Sequence, residues 1–192
     1  MNHITQFFNF LEKKEGRNKP LMYKLIHEPD SIIPEDLNVV GSLDLENSSI
    51  TALPQGLKVG GYLDLSNTEI TSLPKGLKVG GSLYLKNTPI TSLPADLEVG
   101  EDISLSKTPI TTLPQGLRVR GGLWLTGTKI TSLPQGLKVG KSLSLNNSLI
   151  TSLPADLEVG RSLDLRDTPF SKKYTEEEIR EMCPGVRGNI YL

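Results

Sequence analysis

Few residues of this 192-residue chain carry side chains that do chemistry on a substrate. There is one cysteine, Cys183, and there are two histidines, His3 and His27, both near the N-terminus. None of them falls in a Cys/His cluster with metal-ligand spacing, and no glycine-rich loop is placed to cradle a phosphate. Cys183 sits on the apolar side of a short helical pattern, where a thiol is packing material rather than a nucleophile. Serine or threonine recurs at Ser48, Thr68, Thr88, Thr108, Thr128, Ser148 and Thr168. A hydroxyl that returns at every step of a periodic chain reads as a structural ladder bonding a backbone corner. The expectation is a protein with no catalytic residue, no metal and no cofactor. Recognition is the remaining chemistry, and its residues are Tyr62, Asp64, Tyr84, Lys86, Asp102, Trp124, Asp164 and Arg166.

Those eight positions follow from a repeat. The motif ITSLP recurs at a spacing of 20, and the pattern G-x-L-x-L-x-x-T-x-I-T-x-L-P-x-G-L-x-V runs from Ile33 to Phe170 without insertion or deletion. A period of this length marks a solenoid, since one unit cannot bury its own apolar face without a stacked neighbour. With Gly60 as slot one, slots four and six are apolar on every turn (Leu63 and Leu65, Leu83 and Leu85, Ile103 and Leu105). Alternation over L-x-L is a strand signal, and equivalent strands one turn apart pair in parallel. Slots eleven, fourteen, eighteen and twenty add the ladders that include Ile110, Leu113, Leu117 and Val119. The fold class expected is a β-rich repeat solenoid with a parallel sheet of about eight strands, each buried rung being worth about 2–5 kcal/mol on truncation to alanine.

Backbone-shaping residues complete each turn. Pro74 and its equivalents keep the return segment extended. Slot seventeen alternates glycine with aspartate (Gly56, Gly76, Asp96, Gly116, Gly136, Asp156), which predicts a turn at positive φ. TSLPADLEVG recurs identically at 91–100 and 151–160, the trace of a duplicated three-repeat block.

The pattern L-x-L-x-x-[ST]-x-I followed by Leu-Pro resembles the leucine-rich-repeat family, in its short 20-residue bacterial and phage variety. The likeness covers about 140 of the 192 residues. It implies a right-handed solenoid whose outward strand residues form a binding face. Slot nine holds threonine or serine where the family has asparagine, and L-x-V replaces a second Leu-Pro.

An open solenoid needs caps. Ile4, Phe7, Phe8 and Leu11 lie at helical spacing, so residues 4–14 read as an amphipathic capping helix within an N-terminal cap of residues 1–32. Running the count backwards predicts a degenerate first strand at 21–26. Residues 171–192 form the second cap. Thr175 and Glu178 make a capping box for a helix over 176–183, with Tyr174 and Ile179 at staple spacing. VRGNIYL then matches VGGSLYL of residues 79–85 slot for slot, which predicts a last strand burying Ile190 and Leu192.

In slots three, five and seven the side chains point out of the sheet. They place the only tryptophan and three of the five tyrosines (Tyr62, Tyr84, Tyr191) on one face. That face is expected to bind another protein, with Trp124 and Tyr84 as anchors. A structural or self-associating solenoid is the alternative, and a secreted effector stands behind it. A nucleic-acid binder also stands behind it: the row Lys58, Lys78, Arg118 and Lys138, with Arg120 nearby, is interrupted by Glu98 and Glu158. Charge is nearly balanced, 21 basic against 22 acidic residues, which argues against nucleic acid or an anionic membrane as partner. With one cysteine, no signal-peptide pattern and no long apolar run, a reducing cytosol is the expected location.

Overall fold

The computed structural model describes residues 19–192. The expected helix at 4–14 lies outside the described residues. Among those described, fifteen two-residue strands are numbered in chain order. Eight of them form one parallel sheet: β2 (Leu43–Asp44), β4 (Leu63–Asp64), β6 (Leu83–Tyr84), β8 (Ile103–Ser104), β10 (Leu123–Trp124), β12 (Leu143–Ser144), β14 (Leu163–Asp164) and β15 (Ile190–Tyr191). They stack in sequence order, β2 to β14 with a register of 20, Leu63 pairing with Leu43 and Leu83, and β15 joining β14 with Ile190 opposite Leu163. The protein is a parallel β-solenoid with leucines at its strand positions.

A sharp corner keeps each strand short. Slot eight lies in the left-handed region at Asn47, Asn67, Asn87, Lys107, Gly127, Asn147 and Asp167, with φ near 57–67°. Asparagine and aspartate tolerate that region better than most residues. The slot-nine hydroxyl closes the corner from inside: Thr68 Oγ1 donates to Leu65 O at 2.7 Å and Thr128 Oγ1 to Leu125 O at 2.7 Å. Slots four, six and eleven line the interior, where Leu63, Leu65 and Ile70 are fully buried and their equivalents are buried.

At slot seventeen the structure corrects the reading from sequence. Gly56, Gly76, Gly116 and Gly136 take positive φ, but Asp96 and Asp156 do not. Their carboxylates instead accept the Gly76 and Gly136 amides of the preceding turn, each at 2.9 Å. The side chain does by hydrogen bonding what glycine does by conformation.

A second ladder, which the sequence did not suggest, joins the return segments at slots nineteen and twenty. It comes in two pieces. β1 (Asn38–Val39), β3 (Lys58–Val59), β5 (Lys78–Val79) and β7 (Glu98–Val99) form one, and β9 (Arg118–Val119), β11 (Lys138–Val139) and β13 (Glu158–Val159) the other. Within each piece the bonds repeat, for example Gly100 N to Val79 O at 2.8 Å and Gly140 N to Val119 O at 2.8 Å. Between β7 and β9 they are absent.

Two residues break the pattern at this break. Slot one holds glycine at Gly60, Gly80, Gly100, Gly140 and Gly160, where a Cβ would fall 1.9–2.3 Å from the carbonyl oxygen of the preceding turn. Arg120 has that Cβ, and the turns part. Asp96 also gives β7 a different turn from the glycine turn of Gly116 that follows it. Arg187 fills slot one on the last turn and keeps its bond to Val159 O at 2.9 Å. There the chain arrives from a helix, and the close approaches fall on Gly185 and Gly188 instead.

At the N-terminal side, residues expected as a strand form helix α1 (Leu21–His27). Tyr23 and Leu25 are buried as the slot count requires, but Lys24 is buried too, at 4% exposure. A strand would have turned Lys24 outward. The helix turns it onto Asp36, 2.7 Å away, and satisfies its own amides without a partner strand, Glu28 N bonding Lys24 O. Burial pushes the Asp36 carboxyl up, but the Ile33 amide and the Lys24 ammonium outweigh it and hold the group below its ordinary range.

At the other side, α2 (Glu176–Met182) carries the expected capping box: Glu178 N donates to Thr175 Oγ1 and Thr175 N to Glu178 Oε2. It buries Ile179 and Cys183, and Tyr174 packs on Phe170 with ring centroids 4.7 Å apart. β15 then pairs with β14, Ile190 opposite Leu163, and Val186 bridges to Val159. Ile190 and Val186 are buried, but Leu192 is 44% exposed, contrary to expectation, because no turn among the described residues stacks beyond it. Deleting residues 186–192 should therefore remove the burial of Val186 and Ile190, about 1.5–3 kcal/mol each, and leave β14 an open edge. A urea melt should show the loss, and light scattering the resulting aggregation. A truncated chain that melts like the full one and stays soluble would contradict the pairing.

Candidate partner-binding face

Strand parity puts slots three, five and seven on the outer face of the eight-stranded sheet, and the corner at slot eight limits the face to that width. Tyr62 and Tyr84 stand on neighbouring strands with ring centroids 6.2 Å apart, tilted by 59°. Tyr62 is 41% exposed and Tyr84 half-buried. Such tilted aromatic pairs are stable cross-strand units.

Trp124 lies two strands further along, about 10 Å from Tyr84. It does not stand up from the sheet. Its ring lies down over Gly122 of its own strand segment, where a Cβ would meet the indole Cη2 at 2.6 Å. The Gly122 amide is held by Asp102, whose Oδ1 accepts it at 2.7 Å. Asp102 is thus the fixture of the indole's seat as well as a charge on the face. Gly122 is the seat of the indole, a role that its place in the slot-three row did not show. Its signal was a bare glycine in slot three two residues before the only tryptophan.

The remaining residues are arranged as follows. Asp64 is half-buried and accepts the Ser66 amide at 2.8 Å. The Lys86 ammonium is exposed, with no hydrogen bond or ion pair among the described residues. Asp164 and Arg166 form a two-pronged pair at 2.9 and 2.6 Å, and the Arg166 guanidinium lies 5.7 Å from the centroid of the Tyr191 ring. The eight residues therefore form three groups on one face: the tyrosine pair with Asp64 and Lys86, the seated tryptophan with Asp102, and the Asp164–Arg166 pair against Tyr191. Small residues separate them, among them a bonded cluster of Thr126, Ser144 and Asn146.

Elsewhere the chemistry-bearing residues are occupied. Cys183 is buried against Pro154 O at 3.5 Å, and burial pushes its thiol up. His27 packs on Tyr23 with centroids 4.8 Å apart, and His3 lies outside the described residues. The slot-nineteen row is partly neutralised by ion pairs between neighbouring turns, Lys78 with Glu98 and Lys138 with Glu158. Among the described residues no group of three or more acidic, histidine or cysteine side chains is arranged to hold a metal, and no helix is long and apolar enough to cross a membrane.

Fold and face together define a leucine-rich parallel β-solenoid with one broad, varied outer sheet. Compared with known proteins, the chain matches no family model, and no curated protein matches it in sequence.

The Arg166 guanidinium holds the Asp164 carboxyl below the ordinary carboxylate range, against the upward push of partial burial. A folded-state pKa below the unfolded one contributes stability that is present at neutral pH and is lost as pH falls through the folded value. NMR titration should find the Asp164 carboxyl protonating below the ordinary carboxylate range, and Arg166→Gln should return it toward that range. An Asp164 that titrates normally in the intact chain would show that the pair does not persist in solution.

Proposed function

We propose that this protein is a non-catalytic binding module of the leucine-rich-repeat kind, and that it engages a partner protein through the outer face of its eight-stranded sheet. The observation that carries the reading is the concentration of aromatic side chains on that face. Tyr62, Tyr84, Trp124 and Tyr191 are spread over small polar residues, while the interior slots stay almost uniformly aliphatic. Anchor residues of interfaces are enriched in tryptophan, tyrosine and arginine. Trp124 and Tyr84 are the proposed anchors, with Tyr62 adjoining. Lys86, Asp64 and the Asp164–Arg166 pair supply polar complementarity around them, and Asp102 holds the indole's seat. No cofactor enters this reading, and the likeness to short bacterial and phage repeats supports a cytosolic setting.

A self-associating structural solenoid is the second reading. It is supported by the near-identity of successive repeats and by β15 at the edge of the sheet, with Tyr191 and Leu192 each 44% exposed. Edge strands of this kind template further pairing.

The two readings separate on two measurements. Trp124→Ala with Tyr84→Ala should abolish capture of the native partner from host extract while leaving the melting curve close to that of the parent, since neither side chain is in the interior. Unchanged capture by the double variant would sink the sheet-face reading. Sedimentation velocity should show a monomer over a wide concentration range; steady growth with concentration would favour the structural reading instead.

A further inference from the structure

The break between β7 and β9 opens a cleft in the side of the solenoid, away from the aromatic face. Leu97 and Val99 are partly exposed there, while their equivalents Leu77, Val79, Leu137 and Val139 are buried. Gly121 N still bonds Glu101 O at 3.1 Å at the sheet end, and the lining extends to Pro94 and Pro114. The resulting cavity has a volume of about 560 Å³.

Its walls carry unused hydrogen bonds. On every other junction between turns β3 to β13, slot-nineteen and slot-one amides donate to the carbonyls of the turn before. Here Arg118 N and Arg120 N have no acceptor, and Leu97 O and Val99 O no donor, among the described residues. The same two arginines line the cleft and make no hydrogen bond or salt bridge to another described residue, although the Arg118 charge also acts on Glu158. Lys78 is also at the rim but is paired with Glu98 at 2.6 Å. One wall therefore offers backbone amides and the two arginines, the other offers backbone carbonyls, and Leu97, Val99 and Leu117 form an apolar floor.

We propose that this cleft is a second binding site, and that its occupant is a short extended acidic peptide segment with an aliphatic side chain between its carboxylates. A free anion would satisfy the arginine wall alone. A peptide also supplies N–H groups for Leu97 O and Val99 O, and its aliphatic side chain covers the floor. Charge complementarity selects acidic sequences, because the cleft lining carries Arg118 and Arg120 against a single carboxylate, Glu98, which is paired with Lys78. Arg120 has two roles: its Cβ helps to hold the turns apart, and its guanidinium meets the ligand.

The test uses the full chain and a set of fluorescein-labelled pentapeptides, each with acidic residues flanking a central leucine, valine or isoleucine. Amide-for-acid versions of the same peptides and inorganic phosphate serve as controls. At least one acidic peptide should bind in fluorescence polarisation, weaken with salt, and slow hydrogen exchange at the Arg118 and Arg120 amides. Arg118→Gln with Arg120→Gln should weaken it about tenfold or more. Arg120→Gly, which lets the turns close, should abolish it. Trp124→Ala with Tyr84→Ala should leave it unchanged, so that this site fails or stands apart from the sheet face. The proposal is overturned if no acidic peptide binds at millimolar concentration, if the amide versions bind equally, if phosphate alone protects the two amides as well, or if the aromatic variants remove binding.

Discussion

Everything in this molecule depends on like stacking upon like. A register of 20 sets each residue directly over its own equivalent, so an interior slot must satisfy neighbours that are nearly copies of itself. Leucine over leucine and isoleucine over isoleucine meet that demand, because aliphatic side chains of equal shape interdigitate without polar cost. The same demand explains the threonine column. Its hydroxyl bonds within its own turn, Oγ1 to the slot-six carbonyl, and asks nothing of the turns above and below.

Charge and backbone meet the constraint differently. A lysine column stacked on itself at strand spacing repels, as Lys58 opposite Lys78 must do. The duplicated block inserts Glu98 and Glu158 beside Lys78 and Lys138, turning repulsion into exposed ion pairs that solvent screens. The backbone approaches so closely at slot one that only glycine stacks there in a regular turn. A single arginine in that slot, following the one internal aspartate turn, coincides with the only interruption of the ladder between β1 and β13. A regular solenoid thus acquires a local opening from deviations at one turn, and the opening leaves backbone amides and carbonyls without partners among the described residues.

The outer face escapes the stacking rule, since solvent rather than a copy lies over it. Its residues vary from turn to turn, and their arrangement is set by short contacts that differ along the sheet. Tyr62 meets Tyr84, Trp124 rests on Gly122 with Asp102 beneath, and Arg166 ties Asp164 to Tyr191. The indole's flat pose over Gly122 reduces its reach but fixes its orientation.

Periodicity alone determined the strands at slots four and six, the apolar ladders, the outward parity of Tyr62, Asp64, Tyr84 and Trp124, the capping box of α2 and the register of β15. These are local or repeated signals, and each one is reinforced by six or seven copies or by a motif of four residues. Tertiary structure decided the rest. Residues 21–27 became helix α1 because Lys24 found Asp36, a contact across twelve residues with no periodic signature. Asp96 and Asp156 kept ordinary φ because a neighbouring turn offered an amide. Leu192 stayed exposed because no turn among the described residues stacks over it. The second ladder, its interruption at Arg120 and the seating of Trp124 on Gly122 depend on ångström-scale approaches between turns. A one-dimensional pattern shows which residues stand over one another; how closely they approach is settled only when the backbones are stacked.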